Sequence, residues 1–140
     1  MLKTIDPLLS GSLLAILADM GHGEEIVLAD ANFPSAGLAR RLVELPGSSV
    51  TDVLQAVLTL FPLDDFVDEP VAVMAAPADA APMYESFGRA LDAAEGRAIA
   101  IEPIDRFAFY DRTKLAYAVV ATGERRLYGN LILKKGVIRL

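Results

Sequence analysis

The chain contains one histidine, His22, set between Gly21 and Gly23. Flanking glycines permit a tight backbone path and leave a ring unshielded, and an imidazole with an ordinary pKa of ~6.5 gives and takes protons near neutrality. A surface-loop histidine without a task has the same local composition. Asp30 follows the apolar run Ile26-Val27-Leu28-Ala29 and opens the polar turn Asp30-Ala31-Asn32-Phe33-Pro34. A carboxylate at the end of a buried strand can serve a ligand site or simply close a turn. Arg106-Phe107-Ala108-Phe109-Tyr110-Asp111-Arg112 puts aromatics and guanidinium groups on one segment, where Phe107, Tyr110 and Lys114 would equally form the core and rim of a helix. Tyr128-Gly129-Asn130 joins a phenol and an amide, both directional hydrogen-bonding groups, to a glycine that allows close backbone approach. It also reads as an ordinary strand entrance. Lys134-Lys135-Gly136 reads as a solvated turn, and Glu24 and Glu25 as solvated side chains.

Many chemistries are closed to this set. There is no cysteine, which removes disulfides, thiolate nucleophiles and sulfur-ligated metals, and one histidine cannot build a multi-histidine metal site. The phosphate-loop, dinucleotide and zinc-protease fingerprints are missing, and Gly21-His22-Gly23 precedes the first clear strand where a dinucleotide loop would follow it. No nucleophile elbow supports a serine hydrolase. Thirteen basic residues against nineteen acidic ones give a net charge of −6, which argues against nucleic acid and anionic membranes as partners. The longest apolar stretch, residues 115–121, falls far short of the ~18–20 residues of a membrane-spanning helix. The expectation is a single domain over residues 1–140, soluble and cytoplasmic. Its 54% apolar content, mostly Ala, Leu and Val, suggests burial between subunits of a homo-oligomer.

The elements that must position these groups follow from periodicity. Ser10 or Ser12 can cap a helix carrying Leu13, Leu14, Ile16, Leu17 and Met20, with Gly21 as a left-handed C-cap. Residues 26–29 and 71–75 read as strands buried on both faces, and 42–45 as a short third strand. Ser49 or Thr51 starts a helix bearing Val53, Leu54, Val57, Leu58 and Phe61 that Pro62 stops. Residues 77–82 read as loop, 83–94 as a more polar helix ending near Gly96, 99–104 as a strand broken by Pro103, and 106–115 as a helix. Residues 116–121 and 127–133 are the last strands. Short buried strands alternating with helices predict a three-layer α/β sandwich with a largely parallel central sheet, in which Asp30 lies at a carboxyl strand end where ligands collect.

Taken together, these segments resemble one family. Leu2-Lys3-Thr4-Ile5, Pro7-Leu8, Ala18-Asp19-Met20-Gly21-His22-Gly23-Glu24-Glu25-Ile26 and Asp30-Ala31-Asn32-Phe33-Pro34 are similar to the N-terminal pattern of the L-fucose mutarotase and D-ribose pyranase family. Arg106-Phe107-Ala108-Phe109-Tyr110, Thr122-Gly123-Glu124-Arg125 and Tyr128-Gly129-Asn130-Leu131-Ile132-Leu133-Lys134-Lys135-Gly136-Val137 resemble its C-terminal part, in the fucose branch. The resemblance covers essentially the whole chain and is weakest over residues 77–101.

It implies a cofactor-independent isomerase, with no metal, that interconverts the α and β anomers of a free monosaccharide. It also implies a homo-oligomer, commonly a decamer of two pentameric rings. His22 falls on the family's catalytic acid/base histidine and Asp30 on its sugar-contacting aspartate. Arg106 falls on the fucose branch's sugar-binding arginine, and Tyr128, Gly129 and Asn130 on the sugar-binding triplet. Within this expectation His22 moves the proton, Asp30 orients it or holds a hydroxyl, and Tyr128 is the complementary donor or acceptor. D-ribose pyranase activity, a non-catalytic sugar-binding or transport accessory protein and a nucleotide-binding α/β domain are the competing expectations.

Overall fold

A short run that is apolar at every position suits a strand covered on both faces, and four such runs, 26–29, 71–74, 118–121 and 131–133, form the centre of the molecule. In the computed structural model, which describes residues 1–140, they are part of a continuous alternation. Helix α1 (Gly11–Asp19) leads to β1 (Glu25–Ala29), a short α2 (Ser35–Leu38), β2 (Leu42–Leu45) and α3 (Val50–Leu58). β3 (Val71–Met74), a 3-10 turn (Ala78–Ala80) running into α4 (Ala81–Glu95), β4 (Ile101–Ile104), α5 (Arg106–Leu115), β5 (Ala118–Thr122) and β6 (Leu131–Lys134) follow.

The strands form one six-stranded sheet in the order β2-β5-β1-β6-β3-β4. β1 pairs parallel with β5, β5 with β2, and β3 with β4. β6 lies antiparallel to both β1 and β3, so five strands run one way and β6 alone runs back. The predicted largely parallel sandwich is therefore present as a mixed sheet. Its reversed strand carries the chain from the carboxyl end of β1 to the amino end.

Strand alternation divides the core into two layers. Ile26, Leu28, Ala118, Val120, Leu131 and Leu133 face α1, α3 and α4, packing with Leu13, Val53, Leu54 and Phe87. Val27, Ala29, Val119 and Ile132 face the opposite way, onto Phe33 and onto Phe109 of α5. The first layer is much the larger, so the sheet is held chiefly from the α1–α3–α4 side. No helix is long and apolar enough to cross a membrane.

Several local expectations are corrected. The Ser10 and Ser49 side chains accept the capping bonds of α1 and α3. Gly21 is not a left-handed C-cap: α1 ends on extended Met20, and the positive φ falls at Gly23, whose N–H donates to the carbonyl of Lys135. The segment 77–82 is not all loop, because α4 begins at Ala81 with Pro82 in its first turn, where a missing N–H costs nothing. Pro103 does not break β4, an edge strand with one neighbour that can spare an N–H. Pairing in the last strand begins only at Leu131; residues 127–130 form a turn in which Tyr128 adopts a left-handed φ of 63°.

Candidate active site

Two polar clusters stand at opposite ends of β1. At its carboxyl end the buried Asp30 side chain is surrounded by donors. Its Oδ1 accepts from the N–H of Asn32 at 3.0 Å, and its Oδ2 accepts from the N–H of Gly129 at 3.2 Å and from Asn130 Nδ2 at 3.1 Å. Asn130 Oδ1 in turn accepts from the N–H of Asp30 at 2.8 Å. A carboxylate has about four acceptor sites, so this network leaves about one for a further donor. Burial raises the Asp30 pKa above its usual value, and the N–H groups of Asn32, Gly129 and Asn130 act against that shift.

The turn that carries Tyr128 and Asn130 is held by Glu124, a residue to which sequence reasoning assigned no task. The carbonyl of Glu124 accepts from Ala31, its Oε2 from the N–H of Val50, and its two carboxylate oxygens from the Arg126 side chain at 2.9–3.0 Å. Arg126 beside it pushes the buried Glu124 carboxyl down to about 2. Gly129 is required here by close approach, since a Cβ at that position would stand 2.9 Å from Glu124 Cγ and 3.4 Å from Asp30 Cβ. Tyr128 and Arg126 border a cleft of about 460 Å³ closed on its other side by Pro77, Asp79 and Met83. The segment that resembles the family least therefore forms one wall of this cleft.

Arg106 occupies the first turn of α5 and is exposed, with its guanidinium over the Phe107 ring at 4.9 Å. α5 reaches this end of the sheet because Phe109 and Tyr110 pack edge-on against Phe33, with ring centroids 5.6 and 5.5 Å apart. Arg106 makes no hydrogen bond or ion pair with the Asp30 cluster.

His22 lies at the other end. Because β1 spans Glu25–Ala29, its five residues place roughly 17 Å of strand between His22 and Asp30. The partner of His22 is Asp64, whose Oδ1 lies 3.0 Å from Nε2; the two side chains are 42% and 3% exposed. The Phe66 ring lies against the imidazole at 4.9 Å between centroids. His22 borders an open cavity of about 640 Å³ whose walls include Leu17, Met20, Leu60, Lys135 and Ile138.

Residues 134–136 are not the idle solvated turn their composition suggested. Lys135 Nζ donates to the carbonyls of Leu17 and Met20 at the end of α1, and its backbone pairs with Gly23 and Glu24. Glu25 is likewise engaged, holding Arg112 of α5. The structure thus brings together Asp30, Tyr128, Gly129 and Asn130. It leaves Arg106 exposed at the start of α5 without a bond to them, and sets His22 apart beside a separate cavity.

The sequence of residues 3–138 matches the model of the RbsD / FucU transport protein family. The chain belongs to this family. Among its relatives is the L-fucose mutarotase of Glaesserella parasuis serovar 5 (strain SH0165), 48% identical over 98% of this chain and 96% of that one. The fucose mutarotase of Streptococcus pneumoniae, solved in complex with L-fucose, superposes with a TM-score of 0.90 at 41% identity, covering 99% of this chain and 100% of that one. Bacillus subtilis RbsD complexed with D-ribose is more distant, with a TM-score of 0.72 and 28% identity over 99% and 100% of the two chains. Family membership covers both branches, and the similarity is greater on the fucose side.

Proposed function

We propose that this protein is a mutarotase that opens and recloses the ring of free L-fucose, or a closely related aldose, by general acid–base catalysis. One observation carries the reading: the sole imidazole of a chain 48% identical to an L-fucose mutarotase is held at an open cavity by a buried carboxylate. Mutarotation removes the proton of the anomeric hydroxyl, breaks the bond between the anomeric carbon and the ring oxygen, and returns a proton to that oxygen. Reclosure on the other carbonyl face reverses these steps. Nothing is oxidised and no group is transferred, so one base and one acid suffice; such assistance is worth ~10²–10⁴-fold.

His22 is the proton carrier in this reading. Tyr128 is the phenol that complements it, and Asp30, Arg106, Gly129 and Asn130 hold hydroxyls. These groups occupy two ends of one subunit, so the working site is composite, with His22 of one copy facing the Tyr128 turn of another. Exposed apolar side chains mark both ends: Leu60, Phe66 and Ile138 beside His22, and Phe107 and Leu127 near the other cluster. A head-to-tail contact between two such different surfaces closes into a ring, in keeping with a homo-oligomer of two pentameric rings. We place the protein in the cytoplasm.

Exchange NMR between the α and β anomers of L-fucose tests the activity. The intact protein is expected to accelerate exchange, more for L-fucose than for D-ribose, and His22→Asn to abolish most of the gain. Saturable ligand shifts without faster exchange would instead identify a non-catalytic sugar binder.

A further inference from the structure

Arg126 is the one basic side chain on the wall of the cleft that Tyr128 borders. It is 52% exposed, whereas the Glu124 side chain that holds it is 5% exposed. An exposed arginine ordinarily samples many rotamers. This one is fixed: Nε donates to Glu124 Oε1 at 3.0 Å, and Nη2 donates to Glu124 Oε2 at 2.9 Å and to Thr51 Oγ1 of α3 at 3.2 Å. The anchor is itself restrained, because Glu124 also accepts from the N–H of Arg126 and from the N–H of Val50.

A guanidinium carries one N–H on Nε and two on each Nη. The side-chain bonds use Nε–H and both N–H groups of Nη2, so the pair on Nη1 is left over, and Nη1 makes no hydrogen bond within the chain. A donor pair held rigid at a cleft wall has already lost the freedom that binding would otherwise remove, so a bond made there keeps more of its strength. Glu124 balances the charge of the guanidinium, and Asp79 adds a carboxylate to the facing wall. The leftover donors therefore suit a neutral hydroxyl and not an anion.

We propose that Arg126 is a specificity-determining residue of this cleft: its Nη1 donates to a ring hydroxyl of the bound aldose, at C2, C3 or C4, while Glu124 and Thr51 hold the fork in place. The inference rests on the mutarotase reading, in which the sugar lies against the Tyr128 turn. Tyr128 stands two residues further along that turn and borders the same cleft, so one short segment delivers both a phenol and a recognition group. Aldoses differ in the orientation of single hydroxyls. A fixed donor that meets one of them ranks these sugars by KM and leaves the proton transfers to other groups.

Arg126→Lys is the informative variant, because lysine keeps one charged bond to Glu124 but places no donor where Nη1 stands. Its urea unfolding should stay close to wild type. In anomer-exchange NMR its KM for L-fucose should rise about 5- to 30-fold, the span of one bond from a charged donor at a half-exposed site, with kcat changed less than about threefold. Arg126→Met should raise KM by a similar factor and also lower stability, since Glu124 loses its partner. L-Fucose analogues lacking the hydroxyl at C2, C3 or C4 locate the contact: one of them should bind wild type and Arg126→Lys alike, and the other two should keep the full difference. An unchanged KM in both variants, or the same KM increase for all three analogues, would overturn the proposal; the second result would mean that Arg126 only shapes the turn. Wild-type protein that binds L-fucose without faster exchange would overturn the mutarotase reading instead, and Kd from ligand shifts would then carry the same comparison of variants and analogues.

Discussion

Asp30 and Asn130 hydrogen-bond each other twice. The Asp30 N–H donates to Asn130 Oδ1 at 2.8 Å, and Asn130 Nδ2 returns a bond to Asp30 Oδ2 at 3.1 Å. This reciprocal pair joins the end of β1 to the turn before β6, and both side chains are buried. Asn130 is consequently a frame element, since its one side-chain oxygen and one of its two side-chain N–H groups already have protein partners.

Asn130→Ala should therefore act on stability as well as on binding. It leaves the Asp30 N–H and part of its carboxylate without partners, at about 1–3 kcal/mol for each orphaned buried group, or on the order of 2–6 kcal/mol in all. Urea unfolding at pH 7 and fixed protein concentration checks this. A loss below about 1 kcal/mol would mean that the pair does not brace the turn.

Glu124 makes stability depend on acid pH with a definite sign. Arg126 beside it lowers its pKa from 4.5 to about 2, so its contribution is complete above pH 4.5 and fades as the pH falls through 2. The shift corresponds to about 3 kcal/mol, reduced toward ~2 because the partner Arg126 side chain is half exposed. Glu124→Gln should cost about that much in urea unfolding at pH 7 and progressively less toward pH 2. Asp30 has the opposite sign: its raised pKa gives stability that is full below 3.8 and lost as the pH rises through the raised value. The variant retains Asp30, so the wild-type-minus-variant difference isolates Glu124.

Gly129 separates a packing role from a specificity role. An alanine methyl would press on Glu124 Cγ at 2.9 Å, and Glu124 cannot swing aside without releasing Arg126 and the N–H of Val50. Gly129→Ala should destabilise by about 1–3 kcal/mol, the usual cost of overpacking, and lower kcat/KM for L-fucose. Unchanged stability with a switch of preference toward D-ribose would show that the residue acts on the sugar directly.

Much of the frame was readable locally. The runs at 26–29 and 71–74 are apolar at every position, which a sheet covered on both faces demands, and α5 has the bounds expected, Arg106–Leu115, because Asp105 caps it. The reversal of β6 was not readable, since an apolar run carries no direction and Tyr128 gave no sign of its left-handed turn. The separation of His22 from Asp30 did have a signal: residues flanking a single strand on either side must lie at opposite ends of it. Asp64 had none, being an ordinary aspartate that the close approach at Gly136 brings to the imidazole.

That separation leads to the sharpest test of assembly. If His22 of one subunit serves the Tyr128 turn of the next, His22→Asn and Tyr128→Phe proteins will each be nearly inactive alone, yet will restore activity when refolded together. In a randomly mixed ring each interface draws its His22 side and its Tyr128 side independently, so about a quarter of the sites become fully native in a heterologous assembly. Anomer exchange by NMR should then recover to about 25% of the wild-type rate. Recovery requires subunit exchange, which light scattering and native mass spectrometry of the mixed rings would verify. Mixed rings that form but stay inactive would place His22 and Tyr128 in separate tasks, and the composite site would be wrong.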